Sequence, residues 1–185
     1  MYPHMCHVFI DGGYLREEAA SRWNTANVNP RNLAVRLIET PRVQDWAADR
    51  MSSANALLGR VTYYDGLPDE GGESPHRAYW RAIELLPDVH LGFGALRGLG
   101  RRPRQKGVDT LLAVDMLVGA FSGLFDIAVL VSGDADFTPV VEEVGRRGIM
   151  VAVAAVSGTL SDDLRRAADR FIEIDSQWLT SMDIS

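Results

Sequence analysis

Short apolar runs bounded by turn-forming residues recur along the chain, and they predict buried strands. The clearest run, Ile127–Val131, is rich in β-branched side chains and is followed by Ser132, Gly133 and Asp134. Such a run is typical of a strand that is covered on both faces, as in a parallel sheet. Comparable runs predict strands over residues 7–10, 60–65, 89–96, 149–155 and 170–174.

Segments with helical patterning separate these strands. They cover residues 15–23, 33–38, 76–86, 108–121 and 138–147. Residues 42–58 have irregular apolar spacing, which leaves one long helix or two short ones open. The alternation of strands with helices predicts an α/β fold, a three-layer sandwich with a mostly parallel central sheet. The length of 185 residues predicts a single domain over residues 1–185.

Carboxylates follow two of the predicted strands and begin one helix. Asp11 follows the first strand, Asp134 and Asp136 follow the strand at 127–131, and Asp109 lies in the first turn of the helix at 108–121. Ligands of open α/β sheets bind outside the carboxyl ends of the strands, so these acids can meet in one crevice if the strands are neighbours. Carboxylates this close would need protons or a cation to relieve their repulsion. Oxygen ligands without His or Cys favour Mg²⁺ or Mn²⁺.

The helix predicted at 108–121 is apolar almost all around its circumference. Such a helix is expected to be buried. Asp115 interrupts its apolar stretch, about 120° around the helix from Asp109. A buried carboxylate needs a partner, so Asp115 is expected either to pair with an arginine or to accept hydrogen bonds.

Charge is unevenly distributed along the chain. The formal net charge of −6 argues against a generally basic surface for nucleic acid, but it allows a local basic patch. Residues 97–106 carry five cationic side chains and no acid. Two interpretations are equally open, a solvated loop and a phosphate-binding arm. The candidate phosphate contacts are Arg101, Arg102, Arg104 and Lys106.

Several protein classes are disfavoured. Cys6 is the single cysteine, which argues against a disulfide framework and favours a cytoplasmic location. The N-terminus lacks the features of a secretory signal, and no apolar run approaches the length of a membrane span, so no membrane partner is expected. Gly92, Gly94 and Gly98 miss the dinucleotide-binding spacing, and no P-loop is present. A metal-binding Asp-x-Asp of a nucleotide-sugar transferase would leave Asp11 and Asp109 without a role.

Four sequence pieces together resemble a known family. They are VFIDGGYL, VTYYDG, QKGVDTLLAVDML and VLVSGDADFTPVVEEVGRRGIMVAV, in order between Val8 and Val153. The chain resembles the NYN-domain proteins of the PIN-like nuclease group. The resemblance implies a Rossmann-like sheet and a metal-dependent ribonuclease site acting on single-stranded RNA. It places Asp11, Asp109 and Asp134 in the catalytic and metal-binding cluster, with Asp136 as a fourth catalytic member.

The chain departs from that family at one position. Many relatives carry Asn three residues after the first Asp, where this chain has Tyr14. Tyr14 can hydrogen-bond or stack on RNA instead, and Ser132 matches the family's small hydroxyl residue, with a role in the turn equally open. Two functions follow: a metal-dependent endoribonuclease, or an RNA-binding or scaffold module with little catalysis. A homo-oligomer is left open.

Overall fold

A parallel sheet forms the middle layer of the protein. The computed structural model describes residues 3–25, 27–50, 55–66, 76–94, 107–175 and 178. In these residues, six strands are paired in parallel in the order β3-β2-β1-β4-β5-β6. The strands are β1 (His4–Asp11), β2 (Ala56–Gly66), β3 (Val89–Gly94), β4 (Ile127–Val131), β5 (Met150–Val156) and β6 (Arg170–Ile174).

Helices cover both faces of the sheet. They are α1 (Gly12–Trp23), α2 (Pro30–Ile38), α3 (Pro41–Arg50), α4 (Arg77–Glu84), α5 (Val108–Phe121), α6 (Thr138–Arg146) and α7 (Asp162–Ala167), with a 3-10 turn at Ala135–Phe137. Buried side chains of α1 to α4 pack on one face, and those of α5 to α7 pack on the other. Among the described helices, none has the length and apolarity that crossing a bilayer requires.

The order of the strands determines where a ligand can bind. From β1 the chain continues to β2 and β3 on one side, whereas β4, β5 and β6 lie on the other side. The direction of strand order therefore reverses between β1 and β4. A crevice opens at such a reversal, at the carboxyl ends of the two strands. Helix α1, which follows Asp11, and the loop that follows Val131 both begin at this edge of the sheet.

The fold predicted from the sequence is confirmed. The bounds of β4, β6 and α5 agree with the prediction, and β1 and β2 extend beyond it. The undecided residues 42–58 contain most of α3 and the beginning of β2. Helix α3 begins at Pro41, because proline is well accommodated in the first turn of a helix.

The expectation that α5 is buried on all sides is wrong. Val114, Val118 and Phe121 are 46%, 56% and 54% exposed, although the opposite side of the helix packs on the sheet. Asp115 also lies on the exposed side, and its Oδ2 accepts a hydrogen bond of 3.0 Å from the Tyr64 hydroxyl. The apolar composition of α5 therefore reflects two surfaces, of which the sheet buries one.

Candidate acidic active site

Asp11 joins the end of β1 to the start of α1. It is the N-cap of α1, and its Oδ1 accepts a hydrogen bond of 3.0 Å from the backbone N–H of Tyr14. Its Oδ2 accepts a second hydrogen bond, 3.2 Å long, from the Ser132 hydroxyl. A Cβ on the following residue, Gly12, would lie 2.6 Å from the carbonyl oxygen of Tyr64, so only glycine allows this close approach. The packing fixes the backbone that carries Asp11.

Asp134 occupies the corresponding turn after β4. It caps the 3-10 turn, and its Oδ1 accepts a hydrogen bond of 2.9 Å from the backbone N–H of Asp136. The N–H of Asp134 itself donates to the Ser132 hydroxyl over 3.3 Å. Ser132 is fully buried, and its hydroxyl links Asp134 to Asp11 through these two hydrogen bonds. The turn role that the sequence allowed for Ser132 is present, and its contact with RNA stays a prediction.

The acids of this edge interact electrostatically. Burial raises the pKa of Asp11 to about 6, the charges of Asp109 and Asp134 raise it too, and the hydrogen bonds from Tyr14 and Ser132 oppose the rise. Asp109 lies in the first turn of α5. Its pKa is raised by burial and then by the charges of Asp134 and Asp136. The charges of Asp109 and Asp134 thus act on Asp11, and those of Asp134 and Asp136 act on Asp109.

This acid set fits a hard divalent cation in its chemistry. In the described part of the chain, no group of three or more His, Cys, Asp or Glu side chains is arranged to hold a metal ion. The donors are carboxylate oxygens, which Mg²⁺ and Mn²⁺ prefer, and a cation would relieve the repulsion that raises the pKa of Asp11. Both Asp109 and Asp134 lie in the solvent-accessible part of the site, and Asp134 keeps its Oδ1 on the N–H of Asp136.

A second buried acid, Asp65, was not singled out from the sequence. It lies near the end of β2, is 1% exposed, and forms an ion pair with Arg16. Trp80 Nε1 donates to its Oδ2 over 2.9 Å, and the N–H of Gly66 donates to its Oδ1 over 2.8 Å. The sequence did contain a sign of this acid, because an Asp-Gly pair stands at the end of β2 as one stands at the end of β1. The pairing with Arg16 compensates this charge.

The Tyr14 side chain reaches the loop between β5 and α7. Its hydroxyl accepts a hydrogen bond of 2.9 Å from the N–H of Val156 and is hydrogen-bonded to the Thr159 hydroxyl. This contact is invisible in the local sequence, because Tyr14 and Thr159 are 145 residues apart. The predicted contact between Tyr14 and RNA stays a prediction, and the hydroxyl is already engaged within the protein.

The predicted phosphate-binding loop precedes helix α5 in the chain. Arg101, Arg102, Arg104 and Lys106 lie outside the described residues. Their contact with a nucleic-acid backbone therefore stays a prediction. Helix α5 begins at Val108, directly after this segment and Gly107, and carries Asp109 in its first turn. The chain thus connects the basic segment to the acidic site.

Comparison with known proteins supports this fold and identifies the family of the chain. The crystal structure of a protein of unknown function, VPA0982 from Vibrio parahaemolyticus RIMD 2210633, superposes with a TM-score of 0.71 at 17% identity, covering 96% of this chain and 97% of that chain. The uncharacterized protein y4oD of Sinorhizobium fredii (strain NBRC 101917 / NGR234) is 32% identical over 97 residues, which are 51% of this chain and 44% of that protein. The chain thus matches less than half the length of that relative. The NYN domain matches residues 7–175, nearly the whole chain, which therefore belongs to the NYN domain family of the PIN-like nuclease superfamily.

Proposed function

We propose that the protein is a metal-dependent endoribonuclease that hydrolyses phosphodiester bonds of single-stranded RNA. Family membership suggests a nuclease, and therefore a hydrolase. The observation that supports the finer proposal is the shared electrostatic field of Asp11, Asp109 and Asp134 at the reversal of strand order. Residues 1–185 would act as one domain, and the lone, buried Cys6 supports a cytoplasmic setting.

The residues of the site take different roles in this proposal. Asp11, Asp109 and Asp134 hold Mg²⁺ or Mn²⁺, and Asp136 assists from the next turn. Such an ion, when bound, lowers the pKa of water and neutralises charge on a phosphate. Ser132 keeps Asp11 and Asp134 together through its two hydrogen bonds. The RNA backbone is bound by the basic segment, which contains Arg101, Arg102, Arg104 and Lys106. Tyr14 and Ser132 belong to the side of the site that would face the RNA.

Cleavage of a fluorescent single-stranded RNA in the presence of Mn²⁺ tests the proposal. Asp134→Asn is expected to reduce the rate by about 100-fold or more, the scale seen when one preorganised charge-stabilising group is removed. The melting temperature is expected to stay the same or rise without metal, because a repulsive anion is lost. Glu142→Gln, an exposed acid of α6, is the matched control and should cleave like the wild type. Equal cleavage by Asp134→Asn would identify a contaminating nuclease or another site.

A second candidate function is an RNA-binding or scaffold module with little catalysis. Two observations favour it. The Tyr14 hydroxyl is engaged by Val156 and Thr159, and within the described residues the acids are not arranged as a ready metal site. In that case the wild type binds the same RNA, Asp134→Asn binds it equally well, and neither cleaves it.

A further inference from the structure

We propose that Tyr14 is a positioning residue that couples the two walls of the acidic site, a role that rests on the proposed function. The first contact is through its backbone, whose N–H donates to Asp11 Oδ1 over 3.0 Å. The second is through its hydroxyl, which reaches Val156 and Thr159 on the other side of the crevice. One residue therefore contacts the carboxylate after β1 and the loop that supports the turn after β4.

The hydroxyl contacts form a closed ring of hydrogen bonds. The N–H of Val156 donates to the Tyr14 oxygen over 2.9 Å, and the Thr159 hydroxyl donates to the Val156 carbonyl over 2.9 Å. Since the Thr159 proton is used in that bond, the Tyr14 hydroxyl is the donor to Thr159 Oγ1. All three bonds point the same way around the ring, so each polarises the next.

The loop held by this ring packs directly on the turn that carries Asp134. A Cβ on Gly133 would lie 2.4 Å from the carbonyl oxygen of Thr159. The N–H of Ser161 donates to the carbonyl of Gly133 over 3.0 Å. Gly133 precedes Asp134, so a displacement of Thr159 changes the backbone from which the Asp134 carboxylate projects. Loss of the Tyr14 hydroxyl should therefore disturb Asp134 without removing any charge from the site.

Two hydroxyl deletions and their combination test this coupling. Tyr14→Phe and Thr159→Val are expected to lower kcat for RNA cleavage about 10-fold and to weaken Mn²⁺ binding by a similar factor, the lower end of the effect of removing a supporting partner of a metal ligand. KM for RNA is expected to stay unchanged, because both variants keep the Tyr14 ring, the part of this side chain that would contact RNA, while the hydroxyls are engaged within the protein. The double variant should be no worse than either single variant, since both break one ring.

Thr138→Val is the matched control, because its hydroxyl is buried and no hydrogen bond joins it to another described residue. It should keep wild-type kcat and Mn²⁺ affinity. Wild-type kcat and Mn²⁺ affinity in Tyr14→Phe, or additive losses in the double variant, would overturn the coupling. Mn²⁺ titration without RNA separates this failure from that of the proposed function. If the wild type binds Mn²⁺ but cleaves nothing, the nuclease proposal fails, whereas the coupling still predicts weaker binding by Tyr14→Phe.

A separate set of side chains forms an apolar surface beside α5. We define the α5 surface by six apolar residues that are 38% to 56% exposed: Met5, Leu57, Val114, Val118, Phe121 and Leu124. Val118 and Leu124 line a groove of about 190 Å³ between α5 and the sheet. Met5 and Leu57 lie side by side on β1 and β2. Apolar side chains grouped on one surface, rather than scattered singly, are typical of an interaction site.

We infer that the α5 surface binds a second copy of this chain. Both signs of charge border its groove, Arg60 from β2 and Asp115 from α5. In the inferred dimer, a two-fold axis pairs Arg60 of each copy with Asp115 of the other, which would make the surface complementary to itself. Val114, Val118 and Phe121 are spaced i, i+4 and i+7, which gives a stripe that can pack against the same stripe of another helix.

Sedimentation of the wild type and its variants over a concentration series tests the pairing. The wild type should form a dimer, and Val118→Lys should be monomeric. Leu85→Lys, at a leucine that is 86% exposed outside this surface, should dimerise like the wild type. Arg60→Asp and Asp115→Arg should each weaken the dimer, and their combination should restore it. A monomeric wild type, or dimers of equal strength in Val118→Lys, would overturn the inference.

Discussion

Two neighbouring strands, β1 and β2, each carry a buried aspartate at the end that leads into the crevice, and their surroundings differ. Asp65 has the Arg16 guanidinium, the Trp80 indole N–H and a backbone N–H around its carboxylate. Asp11 accepts hydrogen bonds from two neutral donors, and the charges that raise its pKa are those of Asp109 and Asp134.

This contrast separates an acid whose charge is compensated from the acid of the proposed site. A buried carboxylate with a cationic partner is stable as an ion, and removal of either partner leaves an uncompensated charge. A buried carboxylate surrounded by like charges stores unfavourable energy that a proton or a cation can release. Perturbed acids of the second kind are typical of functional sites. The variants below test whether the two acids differ as their surroundings indicate.

The largest effect on stability is expected at the compensated acid. Asp65→Asn should lower the free energy of unfolding by about 3–5 kcal/mol, because it leaves the Arg16 charge buried without its partner. Denaturant unfolding at pH 7 measures this loss. Asp11→Asn is the matched comparison and should be at least as stable as the wild type at that pH. A loss at Asp65 smaller than that at Asp11 would contradict the assignment of the two roles.

The next largest expected effect is a pH dependence of the unfolding free energy that arises from Asp11. Its pKa of about 6 in the folded protein lies above the ordinary value of 3.8, so the folded state binds this proton more tightly. The resulting stability is present below pH 3.8 and is lost as the pH rises through 6. One pKa unit corresponds to about 1.4 kcal/mol, so the loss is roughly 3 kcal/mol by pH 7.

Asp11→Asn should remove this loss while keeping an N-cap residue on α1. The measurement is the difference in unfolding free energy between wild type and Asp11→Asn at pH 4 and at pH 7. The difference should change in favour of the variant as the pH rises. Parallel pH curves for the two proteins would show that Asp11 has no raised pKa.

A smaller effect is expected from Mn²⁺. At a concentration ten times the dissociation constant, one bound ion should raise the free energy of unfolding by about 1.4 kcal/mol. Asp109→Asn should lose most of this increment, because it removes one proposed ligand, whereas Glu142→Gln should keep it. Thermal melts with and without Mn²⁺ give both values. Undiminished stabilisation of Asp109→Asn would exclude this carboxylate as a ligand.

The smallest effect is expected at Ser132. Ser132→Ala should lower stability by about 1 kcal/mol at pH 7, because Asp11 and the N–H of Asp134 both lose a hydrogen bond to the buried hydroxyl. The pKa of Asp11 should also rise, since the Ser132 hydrogen bond lowers it. An NMR titration of the Asp11 carboxyl carbon measures that change. A lower pKa in the variant would be inconsistent with the hydrogen bond observed.

The sequence predicted those features that depend on local patterning. Strand β4 was predicted with its observed bounds because its five apolar residues are closed by turn formers, and the placement of Asp11 and Asp134 followed from the rule for parallel sheets. The exposure of α5 could not be predicted in this way. Apolar composition shows that a surface is apolar, but not whether another element covers it.

Contacts between distant segments were equally inaccessible from the sequence. Asp65 is compensated by Arg16, 49 residues earlier, and by Trp80, 15 residues later. Tyr14 reaches Thr159 across 145 residues. Each of these pairs forms only because the sheet order brings the segments together. The family resemblance therefore identifies Tyr14 as a departure, but the local sequence could not identify the partner of its hydroxyl.

The position of β1 in the sheet has a consequence for synthesis on the ribosome. β1 precedes the other described strands in the chain but lies in the interior of the sheet, between β2 and β4. Until β4 emerges, the nascent protein has β1 as an exposed strand edge, a known hazard for association between chains. Asp134 follows β4, so the acidic site is incomplete throughout this period. Under the proposed function, the site has its full set of carboxylates only after Asp134 and Asp136 have emerged from the ribosome.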